Sequence, residues 1–589
     1  MSQLHFRRLV DREVCEKSQA QLLAAGLDPV LARCLASRQV TDVESLDTSL
    51  GRLPPPRLMK RLSTAAEAIG LAIGQGQRLL IAGDYDADGA TATALLVQGL
   101  GRLGGTVDFV VPDRFRLGYG LTPGLIDQWM DQRPDRRPDW IITVDNGISA
   151  LEGVAHAQSL GVKVLVTDHH LPGTQLPDCL ILNPQLGDET FPSKHLAGVG
   201  VAFYLVMAVR TWMAQQSPTP REMPRIDDLL ALVALGTVAD LVRLDDLNRR
   251  LVSQGLGRLQ RGSCSPGLTA LFQVAGRAVE QASVDDLGFL IGPRLNAAGR
   301  LTDMTVGIQC LLANSLEEAL PLAHQLQALN LSRREQEASS RAQAIALVEQ
   351  MPDPSQRSGL VLFDPRWNIG LVGLIASRLK DQFYRPTIVF GQAEEGLLRG
   401  SGRSIPGIHL RDVLERIHTQ QPGLLMTFGG HAMAAGLSLA SQNLSAFEEA
   451  FEQTVRDFAD EPSLFDNVLL TDGELEPHHH QLRTVEQLNQ VIWGQGFPRP
   501  VFRNRFRLVS SQRLKEKHLR LGLQPLQSPA HRLTAIWFDA PASLEQELEL
   551  AYELQINEWQ GQRSLQLLVR AAQALPKPDK ITGSPNEVS

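Results

Sequence analysis

Three carboxylates at alternate positions, in Asp84-Tyr85-Asp86-Ala87-Asp88-Gly89, follow the apolar run RLLIAG. Taken alone, that spacing matches the start of a calcium-binding EF-hand loop, which needs a bidentate Glu at its twelfth position. Counted from Asp84 that position is Leu95, inside the helical run ATATALLVQGL, so the calcium reading fails. Further along, Asp145 lies in VDNG, Asp168-His169-His170 follows VLVT, and Asp240 follows ALGTVA. Carboxylates and imidazoles without thiols suit manganese or magnesium better than structural zinc. Two such ions ~3.5 to 4 Å apart, sharing a carboxylate, would activate water and stabilise charge on a phosphoryl oxygen during in-line displacement. A lone Asp at a strand end is usually a cap or turn residue. The coincidence of several makes a site.

The elements that must position these groups follow from hydrophobic patterning. Between residues 78 and 183 the runs RLLIAGD, TVDFVVPDR, DWIITVDNG, VKVLVTDHH and CLILNP alternate with helical stretches. That pattern predicts a parallel sheet with crossover helices. The runs end in Asp84, Asp113, Asp145, Asp168 and Asn183, and ligands gather at the carboxyl ends of strands in such sheets. Residues 198–350 read as mostly helical, and the breaker cluster MPDPSQ then opens a second α/β pattern. Strand-like segments FRLVSSQRL, HLRLGLQ and HRLTAIWF predict a small β-barrel.

The expected fold class is therefore multidomain α/β. Its order is an N-terminal helical segment (1–44), a parallel-sheet domain (45–313), a long connecting helix (314–350), a smaller α/β domain (351–460), an OB-like β-barrel (461–575) and a tail (576–589). A chain of 589 residues exceeds what one core serves. A net charge of -8 argues against a protein coated in nucleic acid, while leaving room for a local basic track. No apolar run approaches the ~18 to 20 residues of a membrane helix, and the first twenty residues hold no signal-peptide core. The expected location is the cytoplasm. Five scattered cysteines without a CxxC pair suggest neither a disulfide framework nor a zinc knuckle.

DYDADG, VDNG, TDHH and GTVAD, in that order, resemble the successive metal motifs of the DHH phosphoesterase superfamily. WNIGLVGLIASRL, RGSGRS and FGGHAMAAG resemble the DHH-associated domain of the RecJ family of single-strand DNA exonucleases. The resemblance implies that Asp86, Asp88, Asp145, His169 and Asp240 bind two manganese or magnesium ions, with Asp145 as the bridge. Many superfamily members carry a histidine where this chain has Ala82, and Asp84 is close enough to act as a replacement ligand. On the same resemblance Asp168 orients its neighbouring imidazole, and His170 contacts the scissile phosphate or transfers a proton.

For the strand itself, Arg294, Asn296 and Arg300 in GPRLNAAGR are expected to line one loop and offer guanidinium forks to phosphate, as is Arg114 in DRFRLGYG. Ser401 and Arg403 in RGSGRS, with His431 nearby in sequence order, would by resemblance grip a 5′ end. Eight Lys or Arg between Arg499 and Arg520 face one acid, Glu516, in sequence that also holds Phe502 and Phe506, which suits backbone attraction plus base stacking. His478-His479-His480 reads as a solvated turn. The resulting expectation is a two-metal exonuclease that degrades single-stranded DNA from the 5′ end in repair and recombination. It would be monomeric, with a helicase and a single-strand-binding protein as partners. The alternatives are a phosphodiesterase of nanoRNA or cyclic dinucleotides, and a catalytically silent replication scaffold.

Overall fold

Residues 8–113, 118–216, 222–351, 356–459, 461–515, 517–541 and 543–574 are described by the computed structural model of the chain. It divides into two units, one of residues 43–336 with 492–498, the other of 1–42, 337–491 and 499–589. The division falls within the helix Leu316–Glu349. The N-terminal segment, expected to be helical, opens instead with a short strand, β1 (Arg8–Asp11), before helices Glu16–Ala24 and Pro29–Ala36.

The first unit holds β2 (Arg78–Ala82), β3 (Thr106–Val110), β4 (Trp140–Val144), β5 (Lys163–Thr167) and β6 (Leu180–Leu182), all parallel in the order β3-β2-β4-β5-β6. Every residue of β4 is buried, as a central parallel strand covered on both faces requires. The helix Ala87–Arg102 leaves β2 rich in Ala, Gly and Thr, and its small side chains allow close packing against the helices Gly198–Gln216 and Leu230–Ala239. The latter, LALVALGTVA, is apolar and buried nearly throughout, and Asp240 caps its C-terminal end. GPRLNAAGR does not form the expected loop. It is the helix Gly292–Leu301, because Pro293 falls in the first turn, where a missing N–H costs nothing, and Leu295, Ala297 and Ala298 supply a buried face.

In the second unit, β7 (Leu360–Phe363), β8 (Thr387–Glu394), β9 (Leu397–Arg403), β10 (Thr427–Gly430) and β11 (Ala434–Ala440) form a mixed sheet in the order β10-β11-β9-β8-β7. Its core includes Phe390, Phe447 and Phe451. β12 (Val468–Thr471) pairs in parallel with β1, and a buried Arg38–Asp472 ion pair of 2.6 Å ties the N-terminal segment to the same region. β13 (Phe502–Leu514), β14 (His518–Pro525), β15 (Leu533–Trp537), β16 (Glu547–Trp559) and β17 (Gln562–Ala574) close a barrel in the order β13-β14-β15-β17-β16.

Two sequence expectations for the barrel are corrected. Phe502 and Phe506 are 0% and 1% exposed, so they cannot stack on bases. They alternate with the outward Arg503, Arg505 and Arg507 because the strand is buried on one face only. His480 is not a solvated residue: its Nε2 meets the Tyr552 hydroxyl at 2.7 Å, that hydroxyl donates to Asn504 Oδ1, and burial pushes the imidazole down to about 4.

Candidate metal centre

Each acidic group is placed by backbone before any ion is considered. Asp84, two residues past the end of β2, accepts the Tyr85 N–H at 2.7 Å. Asp86 caps the helix Ala87–Arg102 by accepting the Gly89 N–H at 3.0 Å. Gly89 must lack a side chain, since a Cβ there would lie 2.7 Å from Asp84 Cβ. Asp88 receives the Gly198 and Val199 N–H groups at 2.6 and 3.0 Å, the first amides of the helix Gly198–Gln216. Asp145, just past β4, adopts the left-handed region at φ 63°, a conformation that costs ~1 to 3 kcal/mol and concentrates at functional sites. Tyr119 holds it there, donating its hydroxyl to the Asp145 carbonyl at 3.2 Å. Gly198 lets the helix approach, as a Cβ there would lie 2.7 Å from Asp145 Cβ.

The β2, β4 and β5 ends and the helix end at Asp240 converge. His169 Nε2 is 3.0 Å from Asp145 Oδ1, 3.5 Å from Asp240 Oδ2 and 4.0 Å from Asp88 Oδ2. Among the described residues, three groups have ligand atoms within 4.8 Å of one another: Asp84, Asp86 and Asp145; Asp88, His169 and Asp240; and Asp145, His169 and His170. Asp145 belongs to two of them, which fits a bridging carboxylate. Its Oδ1 is buried and accepts no hydrogen bond, as a lone pair meant for a cation would. Burial, then the neighbouring carboxylates, drive Asp84, Asp145 and Asp240 well above the ordinary carboxylate range, and Asp88 up to about 7. So many like charges in one buried place call for divalent cations to balance them. Asp84, Asp86, Asp88, Asp145, His169 and Asp240 therefore have the donor chemistry for two manganese or magnesium ions.

Asp168 acts on a different ring from the one expected. Its Oδ1 bonds His170 Nδ1 at 2.7 Å and accepts the His169 and His170 N–H groups, while Oδ2 accepts the Ile148 N–H. His169 instead points into the acidic cluster, because consecutive side chains past the strand end diverge. Burial alone would lower His170, but the Asp168 bond and nearby carboxylates hold it up to about 9. Asn183, just past β6, adds support, donating to the His170 carbonyl at 2.8 Å.

The residues expected on phosphate divide. Asn296 Oδ1 accepts the Ala87 N–H at 2.8 Å, so it braces the acidic loop. Arg294 is buried and donates to the Leu290 carbonyl at 2.6 Å, while Arg300 is half-buried on the same helix. Arg114 lies outside the described residues. In the other unit, Arg403 Nη1 donates to Ser401 Oγ at 3.0 Å on β9, and a Cβ on Gly373 would meet Ser401 Oγ at 2.9 Å and Arg403 Nη2 at 3.0 Å. Glycine there leaves the helix Val372–Phe383 close to a hydroxyl and a guanidinium. His431 is exposed in the turn between β10 and β11. Tyr119 and the Gly198–Val199 amides were missed from sequence. The closely spaced glycines Gly198 and Gly200 at a helix start were the available signal for the amides, and none marked Tyr119.

Residues 78–237 match the DHH family N-terminal domain, 356–457 the DHHA1 domain and 471–571 the RecJ OB domain. The chain is 45% identical over 581 residues to the single-stranded-DNA-specific exonuclease RecJ of Salmonella typhimurium, covering 96% of this chain and 98% of that protein. It is 44% identical to the Escherichia coli protein of the same name over 582 residues, with the same coverage. Among solved structures, RecJ from Thermus thermophilus in complex with Mn2+ superposes with a TM-score of 0.81 at 28% identity, covering 98% of this chain and 81% of that one.

Proposed function

The chain belongs to the RecJ family of single-stranded-DNA-specific exonucleases, and from that premise we propose how its own residues carry the reaction. It hydrolyses single-stranded DNA from the 5′ end, releasing 5′-mononucleotides, in DNA repair and recombination. The observation that carries this reading is the set of overlapping Asp and His groups, joined through Asp145 and His169, in a chain that also holds a closed OB-type barrel.

Asp84, Asp86, Asp88, Asp145, His169 and Asp240 would hold the cations. When bound, two such ions supply a hydroxide nucleophile at neutral pH and neutralise charge on the phosphoryl oxygens. Asp168 fixes His170 through Nδ1, which leaves Nε2 as the ring nitrogen that meets a phosphate oxygen. Tyr119 keeps the Asp145 backbone in its left-handed conformation, and Asn296 keeps the Asp84–Asp88 loop closed. Ser401, Arg403 and His431 take the terminal 5′-phosphate, which gives polarity; Arg403 is partly desolvated, which strengthens a bond to an anion. Arg114 and Arg300 attract the backbone, while Arg294, buried on the Leu290 carbonyl, steadies the helix that carries Arg300. Since the substrate is single-stranded, a helicase and a single-strand-binding protein are the natural suppliers of it. The enzyme acts as a monomer in the cytoplasm. A small-substrate phosphodiesterase would have no use for the barrel matched at residues 471–571.

Digestion of 5′-labelled and 3′-labelled single strands with manganese, with duplex as control, tests the reading. Immediate release of label from the 5′ end, delayed loss of 3′ label and an intact duplex are expected. Equal attack on duplex, or release first from the 3′ end, would contradict it.

A further inference from the structure

The burial of Phe502 and Phe506 leaves the barrel without the stacking rings its sequence suggested, so any exposed aromatic beside basic side chains becomes the candidate. Phe538, just past β15, is 53% exposed. Its ring packs edge-on against His518 with centroids 5.1 Å apart. Leu519 of β14 pairs with Trp537 of β15, so His518 and Phe538 are the next pair along the same two strands. His518 and Arg520 share the outward face of β14, between buried Leu519 and Leu521.

Lys517 and His518, at the start of β14, are pinned to the segment after Phe538. The Ala540 N–H donates to the Lys517 carbonyl at 2.9 Å, and the Asp539 N–H donates to His518 Nδ1 at 3.1 Å. In the sequence of 513–520 and 537–541 the formal charges are Arg513, Lys515, Lys517 and Arg520 against Glu516 and Asp539. All four cations are exposed. Trp559, at the β16–β17 hairpin tip, is more exposed at 71%, but Glu558 adjoins it and Arg563 is committed to Glu486 at 2.9 Å. An anionic strand is drawn to the Phe538 side.

We propose that Phe538, braced by His518 and flanked by Arg513, Lys515, Lys517 and Arg520, is a platform on which a base of the single strand stacks. The surface at the second and third strands and first loop of an OB barrel is where oligonucleotides generally lie, and stacking there is indifferent to sequence. The proposal rests on the exonuclease reading above and adds the residue that holds the strand away from the metal centre's own contacts.

The test compares full-length Asp145→Asn protein with the same protein carrying Phe538→Ala or Phe538→Tyr. Fluorescence anisotropy is read with a labelled oligothymidylate and with an abasic strand of equal length. Phe538→Ala weakens binding of the oligothymidylate about 5- to 150-fold, the effect of losing one stacked base. Phe538→Tyr retains it, and the abasic strand binds all three proteins alike. Equal oligothymidylate affinity for the Ala and Phe proteins overturns the platform, as does an equal loss on the abasic strand. Wild-type protein digesting a single strand in parallel separates the two failures: no digestion sinks the exonuclease reading, whereas digestion with unchanged Phe538→Ala binding sinks the platform alone.

Discussion

His169 Nε2 stands 3.0 Å from Asp145 Oδ1, the imidazole set by the end of β5 and the carboxylate by the end of its neighbour β4. A pair this close must share either a proton or a cation. Asp88 and Asp240, within 4.0 Å of the same nitrogen, make a cation the better occupant.

Asp145→Asn is expected to lower manganese-dependent turnover by more than about 100-fold, beyond the ~10- to 100-fold cost of losing an outer partner of a metal ligand. The same substitution removes one like charge from the buried cluster, so the melting temperature in EDTA should hold or rise. Differential scanning calorimetry alongside turnover checks both.

Asn296→Ala separates bracing from phosphate binding. It leaves the Ala87 N–H without its acceptor and loosens the Asp84–Asp88 loop, a loss of ~1 kcal/mol in hydrogen bonding. The manganese concentration for half-maximal activity should rise about 10-fold or more while KM for DNA stays near wild type. A rise in KM alone would return Asn296 to the phosphate contacts expected from sequence.

The metal-free protein should lose stability as pH rises. Asp88 is raised to about 7, with Asp84, Asp145 and Asp240 also raised, so the native state binds more protons than the unfolded chain above the ordinary carboxylate range, and the slope of stability with pH is negative there. His170, raised to about 9, adds to the fall between its ordinary value and that pH, while Asp168, lowered, acts only in acid. Bound manganese replaces those protons, so the rise in melting temperature it causes should be larger at about pH 8 than at about pH 5.

Arg38 and Asp472 form a buried pair with 2% and 1% of their side-chain surfaces exposed. Arg38→Ala should destabilise the second unit by ~3 to 5 kcal/mol, because it strands a buried carboxylate. Urea unfolding measures this, and the docking of the N-terminal segment accounts for it.

The parallel sheet and the acidic strand ends were legible because strand period and strand-end polarity are local properties. Asp84, Asp145 and Asp168 fall at the ends of adjacent strands for that reason. What escaped depends on three-dimensional neighbours. Whether Phe502 and Phe506 face in or out is a question of which strand face closes the barrel, and alternation alone is symmetric between the two. Asn296 looked like a phosphate ligand beside two arginines, yet its partner Ala87 is 209 positions away in sequence. Tyr119 acts through a backbone carbonyl, which no residue pattern marks.

Anomalous diffraction from crystals soaked in manganese tests the central claim most directly. Two peaks ~3.5 to 4 Å apart, with Asp145 reaching both and Asp84, Asp86, Asp88, His169 and Asp240 completing their shells, are the predicted result. A single peak that Asp145 does not touch, or none in this cluster, would contradict the account.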